Sequence, residues 1–195
     1  MSIRERREEE IREMRANILQ QARDLAREEG WSSVSIRNIG KRIRYSAPLI
    51  YSYFENKEAI LLEMQRQGFE QLYDQLGRIR EQETDPRQTL VRMSLVHFDF
   101  AFDNPDLYQA MFNLEGVACP KCERADIECR QRKFMQEALE AVNARGLPYK
   151  PLLFNWWALV HGYIAMQMSN RFQQPQDDMR HLLQEAVERW IDGLR

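Results

Sequence analysis

Apolar residues recur at helical spacing along the whole chain, and no sustained alternation of apolar and polar positions argues for a strand. Ile11, Met14, Ile18, Ala22 and Leu25 define a first helix that stops near Gly30. Ser35 can cap a short helix with an inward face of Ile36, Ile39, Gly40 and Ile43. Arg44 and Tyr45 make a turn, and Ser46 can cap a second short helix with Pro48 in its first turn. After a turn at Glu55, Asn56 and Lys57, a long helix carries Ile60, Leu61, Met64, Phe69, Leu72 and Leu76. Asp85 and Pro86 open another, with Leu90, Met93, Val96 and Phe100 on one side. Asn104 and Pro105 restart the chain into Leu107, Tyr108, Met111 and Phe112. A break from Gly116 to Pro120 precedes a helix from about Lys121 to Ala144, closed by Arg145 and Gly146. Pro148 and Pro151 introduce an apolar helix expected to reach Phe172, and the last helix carries a stripe of Leu182, Ala186, Trp190 and Leu194. The expected fold class is all-α, with about nine helices and no internal repeat.

Two short helices joined by a tight turn form a helix-turn-helix, which places its second helix in the DNA major groove. Charge supports that reading locally. The stretch from Gly30 to Lys57 holds five basic residues (Arg37, Lys41, Arg42, Arg44 and Lys57) against one acid, Glu55. The net charge of the chain is only −2, so it is no histone-like polycation. Residues 1–60 nevertheless carry 12 basic and 10 acidic groups, against 16 and 20 in the remainder. A mildly basic amino-terminal part on an acidic body orients such a molecule toward phosphate. The leading Arg4, Arg6 and Arg7 are offset by Glu5, Glu8, Glu9 and Glu10, which predicts a disordered tail in preference to a minor-groove arm.

The residues from about Ile11 to Met64 resemble the TetR family of bacterial transcriptional regulators. The likeness rests on Ile50-Tyr51-Ser52-Tyr53-Phe54-Glu55-Asn56-Lys57, together with Ser46-Ala47-Pro48 at the head of the second short helix. Two further segments are similar to a ligand-domain subtype with a Trp-x(3)-His-Gly element. They are Asn104-Pro105-Asp106-Leu107-Tyr108 through Met111-Phe112, and Trp157-Ala158-Leu159-Val160-His161-Gly162. Arg44-Tyr45 stands where the family usually has a glycine and a hydrophobic residue, and Ala26 where an aromatic often packs. The resemblance implies a DNA-binding domain at residues 1–57 and a ligand-binding and dimerisation domain at 58–195. Arg37, Tyr51, Tyr53 and Lys57 are then expected to position the protein on phosphate. Base reading falls to Ala47, Pro48 and Leu49 with Ser46 and Tyr51 beside them, a mostly apolar set suited to thymine methyls and groove shape. Arg44 fits either role. Phe54 reads as core, and Tyr51 as either core or phosphate contact.

For the remaining two-thirds the resemblance implies an effector cavity. Its expected lining is Phe98, Phe102, Tyr108, Met111, Phe112, Trp157 and His161, with Trp156, Tyr163 and Met166 nearby and His97 and Asn155 as polar groups. Such residues are more often plain core, and His161 more often structural, but their density suits a small apolar or aromatic effector. The last two helices, with Leu152, Leu159, Met166, Leu183, Val187, Trp190 and Ile191, are expected to pair with a second copy. A homodimer reading a palindromic operator, most simply as a repressor, follows. Three cysteines, an odd number, argue against a secreted disulfide framework and for the cytoplasm, and no run approaches a membrane span. Cys119, Cys122 and Cys129 have a Cys-x2-Cys-x6-Cys spacing that could bind zinc or cycle as thiols, although inert thiols are the simpler reading. A metal- or redox-sensing regulator is therefore the alternative. A helical small-molecule binder or enzyme without DNA binding is the contrasting class. No phosphate loop, nucleophile elbow or paired His-carboxylate motif supports an enzyme, and no cofactor is implied.

Overall fold

A computed structural model describes residues 2–114, 125–170 and 172–194, with side chains described outside 125–133. Among the described residues there are nine α-helices, one 3-10 turn and no strand. The helices are α1 (Ile3–Glu29), α2 (Ile36–Ile43), α3 (Ala47–Tyr51), α4 (Lys57–Gln82) and α5 (Pro86–Asp103). There follow α6 (Pro105–Phe112), α7 (Ala125–Val142), α8 (Tyr149–Met168) and α9 (Gln176–Asp192). The 3-10 turn, Trp31–Ser33, links α1 to α2. The all-α expectation holds. The apolar helix that was expected to run to Phe172 stops at Met168.

The amino-terminal residues are a helix and not a disordered tail. Ser2 and Glu5 form a capping box, with Ser2 N donating to Glu5 Oε2 at 2.6 Å and Glu5 N to Ser2 Oγ at 3.2 Å. Arg4 pairs with Glu8 at 2.9 Å, Arg6 with Glu10 at 3.2 Å, and Arg12 with Glu9. The acids that cancel the arginines in composition thus sit one helical turn from them, and composition alone does not distinguish mutual cancellation from helical pairing.

The chain divides into two compact units. One comprises Met1–Gly68 and Asn104–Glu123, the other Phe69–Asp103 and Arg124–Arg195. In the first, Ile18, Leu19, Ala22 and Leu25 of α1 are buried with Ile36 and Ile39 of α2, Ile50 of α3 and Ile60, Leu61 and Met64 of α4. Leu107, Tyr108, Ala110 and Met111 of α6 complete this core. α4 and α6 approach closely at Gly68, where a Cβ would stand 2.5 Å from Met111 Sδ.

In the second unit α5 packs against α7, α8 and α9. Its buried residues include Leu90, Met93, Phe98 and Phe100 of α5, Leu152, Trp156, Val160 and Ile164 of α8, and Leu183, Val187 and Ile191 of α9. A short polar relay runs through it. Trp156 Nε1 donates to Ser94 Oγ at 2.9 Å, and Ser94 donates to the Leu90 carbonyl at 2.8 Å. Arg180 forks onto Asp99 at 2.7 and 2.9 Å. Leu152, Leu183, Val187 and Ile191, expected to face a second copy, point inward instead. The exposed large apolar side chains of these two helices are Phe154 on α8 and Leu182 on α9.

Candidate nucleic-acid interface

Local chemistry sets the α2–α3 geometry. Ser35 caps α2, its Oγ accepting from Asn38 N at 3.2 Å. At the other end Arg44 takes the left-handed conformation, with φ 60° and ψ 36°. Tyr45 N donates to the Gly40 carbonyl at 2.9 Å and Arg44 N to the Lys41 carbonyl at 3.3 Å. These are the two bonds of a Schellman motif, with arginine at the position glycine usually fills. The chain passes so close that a Cβ on Gly40 would lie 2.8 Å from the Tyr45 carbonyl oxygen. Ser46 occupies the N-cap position of α3, but its side chain makes no capping bond, and Pro48 sits in the first turn. After α3, Asn56 caps α4, accepting from Ala59 N at 2.8 Å.

This scaffold sorts the expected contact residues. Arg37, Arg44, Ser46, Pro48 and Tyr51 are exposed, with Tyr51 at 54%. Ala47, Leu49, Tyr53 and Lys57 are half-buried, while Ile50 and Phe54 lie in the core. Lys57 Nζ donates to the Trp31 carbonyl at 3.3 Å, so this lysine ties α4 to the turn after α1. The basic residues separate likewise. Arg42 is bound by both carboxylate oxygens of Glu28, at 2.6 and 2.7 Å, and that hydrogen bonding raises its pKa. Arg37, Lys41 and Arg44 are exposed and form no ion pair among the described residues. Lys41 and Tyr45, both exposed on this face, were not among the expected contacts. The four-residue spacing from Arg37 to Lys41 would have found the first.

Arginines of α1 reach the turn after α3 and helix α6, and the sequence pattern did not single them out. Arg15 donates to the Tyr53 carbonyl and lies over the Phe54 ring, 4.1 Å from its centroid. Arg23 and Arg27 both donate to the buried Asp106 of α6, at 2.5 and 2.6 Å. Trp31 Nε1 donates to Gln109 Oε1 at 2.8 Å. Read locally, these arginines belong to an ordinary solvated helix face. Their partners lie far along the chain, beyond the reach of spacing rules.

The residues expected to line an effector cavity fall in both units. In the first, Tyr108 and Met111 are buried and Phe112 half-buried, with the Tyr108 and Phe112 rings 4.7 Å apart. Burial raises the Tyr108 pKa. In the second, Phe98 is buried 4.8 Å from the half-buried Phe102. Trp157 and His161, both half-buried, lie one turn apart on α8 with their rings 4.4 Å apart and tilted by 33°. His97 is buried edge-on to Trp156 at 5.1 Å, and its Nδ1 is bonded to the Met93 carbonyl at 2.8 Å. Desolvation lowers its pKa to about 4. Burial, and then the neighbouring His97, lower that of His161 to about 3. Both imidazoles are neutral at neutral pH, so this ring cluster presents π faces and no charge. Cys119, Cys122 and the Cys129 side chain lie outside the described residues. Among the described residues, no group of three or more His, Cys, Asp or Glu side chains could hold a metal, and no helix is long and apolar enough to cross a membrane.

Comparison with known proteins agrees with this geometry. Residues 18–64 match the family described as bacterial regulatory proteins, tetR family. Residues 90–190 match the tetracyclin repressor-like C-terminal domain. The uncharacterized HTH-type transcriptional regulator YobS of Bacillus subtilis is 25% identical over 185 residues, covering 91% of this chain and 90% of its own. A TetR family transcription regulator from Marinobacter aquaeolei superposes with a TM-score of 0.70 at 19% identity, over 94% of this chain and 96% of that one. A Saccharomonospora viridis protein solved in complex with choline gives a TM-score of 0.73 at 22% identity, over 90% and 96%. One of the two family matches covers more than half of the sequence and the other encloses the helix-turn-helix: the chain belongs to the tetR family of bacterial transcriptional regulators.

Proposed function

We propose that this regulator acts as a homodimeric, cytoplasmic repressor, reading a palindromic operator through α2 and α3 and released by a small effector. One observation carries the DNA part of this reading. Arg37, Lys41 and Arg44 stand exposed around α3 without an ion pair among the described residues, while neighbouring cations are already engaged. Arg37, Lys41, Tyr51 and Tyr53 contact phosphate. Ser46, Ala47, Pro48 and Leu49 meet base edges at the head of α3, with Arg44 beside them. Residues 1–57 serve as the reading domain and 58–195 as the sensing and dimerising domain. Lys57, bound to the Trp31 carbonyl, acts chiefly by holding that turn.

Two reading heads match two half-sites one helical turn apart, which requires a second copy. The outward faces of α8 and α9 supply a surface for it: Phe154, Ala158 and Ala165 on α8, and Leu182 with the half-buried Trp190 on α9. The effector reading rests on Phe98, Phe102, Trp157 and His161 within the second unit, and separately on Tyr108, Met111 and Phe112 within the first. Trp157 and His161, in ring contact on α8, form the Trp-x(3)-His-Gly element, which we take to mark the sensing subtype. An uncharged ring cluster of this kind favours an apolar or aromatic molecule oriented by one or two hydrogen bonds. That a protein of similar fold holds choline supports a small organic effector.

The test is selection of duplexes from a random-sequence pool, followed by binding of the recovered duplex as a function of salt. Arg37 and Lys41 of both protomers, four phosphate-bound cations, give a slope of log affinity against log salt of about −4, or about −5 if Arg44 also meets phosphate. Arg37→Ala should reduce the steepness by about 2 per dimer, one contact from each protomer. Salt-independent binding, or a monomer at working concentration, would overturn the proposal.

A further inference from the structure

Asp106 is a buried carboxylate at the first turn of α6, only 2% exposed, and it lies outside the helix-turn-helix. Its Oδ2 accepts from Arg23 Nε at 2.5 Å and its Oδ1 from Arg27 Nε at 2.6 Å, while Arg23 also reaches Asn104 Oδ1 at 3.3 Å. One turn further along α6, Gln109 accepts from Trp31. On its other side α6 is held by α4, where Gln65 Nε2 donates to the Ala110 carbonyl at 2.7 Å and Met111 packs against Gly68. The same α1 that delivers Arg23 and Arg27 also delivers Arg15, which grips the Tyr53 carbonyl and the Phe54 ring just past α3. Arg15 and Arg27 lie on one uninterrupted helix, about 18 Å apart along its axis. A straight helix passes a shift or rotation at one end to the other. Buried ion pairs are poor sources of net stability, and in some proteins they select which geometry a packed surface adopts.

We propose that Asp106 is a positioning residue for DNA reading. By fixing the register of α1 through Arg23 and Arg27, it fixes the end of α3 through Arg15, without touching DNA. Neutralising it leaves two guanidinium groups facing a weak acceptor, so α1 can settle in more than one register. The reading helices of the dimer then lose their common alignment. The phosphate-binding cations remain, so non-specific attraction survives while discrimination falls. This inference rests on the DNA-binding reading above.

The experiment compares two duplexes: the one recovered by selection on the wild-type protein, and a scrambled duplex of equal length and composition. Asp106→Asn, Arg27→Met and Asp106→Glu are measured at one salt concentration, below the melting temperature of each. Asp99→Asn, which breaks the Arg180 pair elsewhere, serves as a control for general loosening. Asp106→Asn should lower affinity for the selected duplex about tenfold while changing the scrambled one less than twofold. Arg27→Met should move the ratio the same way by a smaller factor, and Asp106→Glu should restore part of it. An unchanged ratio in folded Asp106→Asn would reduce Asp106 to a brace and overturn the proposal. If Asp106→Asn does not fold, Arg27→Met decides, since its guanidinium is the more exposed of the pair. Failure of the wild-type protein to select any duplex would instead defeat the DNA-binding reading itself.

Discussion

Arg44→Gly separates the backbone role of this residue from its charge, and the two should move in opposite directions. At φ 60° and ψ 36° a residue with a Cβ is strained by about 1–2 kcal/mol relative to the right-handed regions, whereas glycine adopts the conformation freely. Glycine in turn loses more freedom on folding, which removes roughly 0.5–1 kcal/mol of that gain. The net expectation is stabilisation by about 1 kcal/mol, or a rise in Tm of roughly 2–4 °C for a chain of this length. Arg44→Ala provides the comparison, because alanine keeps the strain and loses the guanidinium. Calorimetry should therefore rank the glycine variant above wild type, with the alanine variant at or below it. In the salt titration both variants should bind the selected duplex more weakly than wild type, with the slope reduced by about 2 per dimer if each Arg44 meets one phosphate. A glycine variant no more stable than the alanine variant would refute the strain argument. Unchanged affinity and slope in both would remove Arg44 from the DNA surface and leave the other cations to account for binding.

Gly40→Ala should destabilise by about 1–3 kcal/mol in thermal unfolding, because the added Cβ meets a backbone oxygen 2.8 Å away that cannot rotate aside. Ser94→Ala should cost about 1–3 kcal/mol by denaturant titration, since the buried Trp156 Nε1 loses its acceptor. Acid should weaken the fold through His97. Its folded pKa of about 4 lies below the unfolded value near 6.5, so the unfolded chain takes up the proton first and stability is lost as pH falls from 6.5 toward 4. The loss from this residue alone is about 2 kcal/mol at pH 5, with His161 acting in the same direction, and a His97→Gln variant should show a flatter dependence of Tm on pH.

Helix order was readable because helix ends carry local chemistry. Ser35 and Asn56 accept from the backbone three residues on, and Pro86 and Pro105 open their helices, so position in the chain is enough to place them. Facing was readable only where apolar residues lie on one side. α8 has large apolar side chains nearly all round, so the pattern has no phase to report. Leu152 and Phe154 look alike in the sequence, yet one is 1% exposed and the other 60%. The amino-terminal turns failed for another reason, since interspersed arginines and glutamates describe a solvated tail and an ion-paired helix equally well.

Charge roles show where local reading ends. Arg37, Lys41 and Arg42 share one short helix and one residue class, and composition counts them together as a basic patch. In the fold Arg42 is neutralised by Glu28, whose place beside it depends on how α1 crosses α2. The raw balance of Gly30–Lys57 therefore overstates the charge offered to DNA. Lys57 bonds to a carbonyl, and the field rests on three side chains whose positions depend on helix packing. Arginines of α1 are likewise engaged inside the fold, Arg15 with the Tyr53 carbonyl and Arg23 and Arg27 with Asp106. A salt slope measured on the intact protein thus reports how many cations the fold leaves available, and it should fall short of the value a residue count would give.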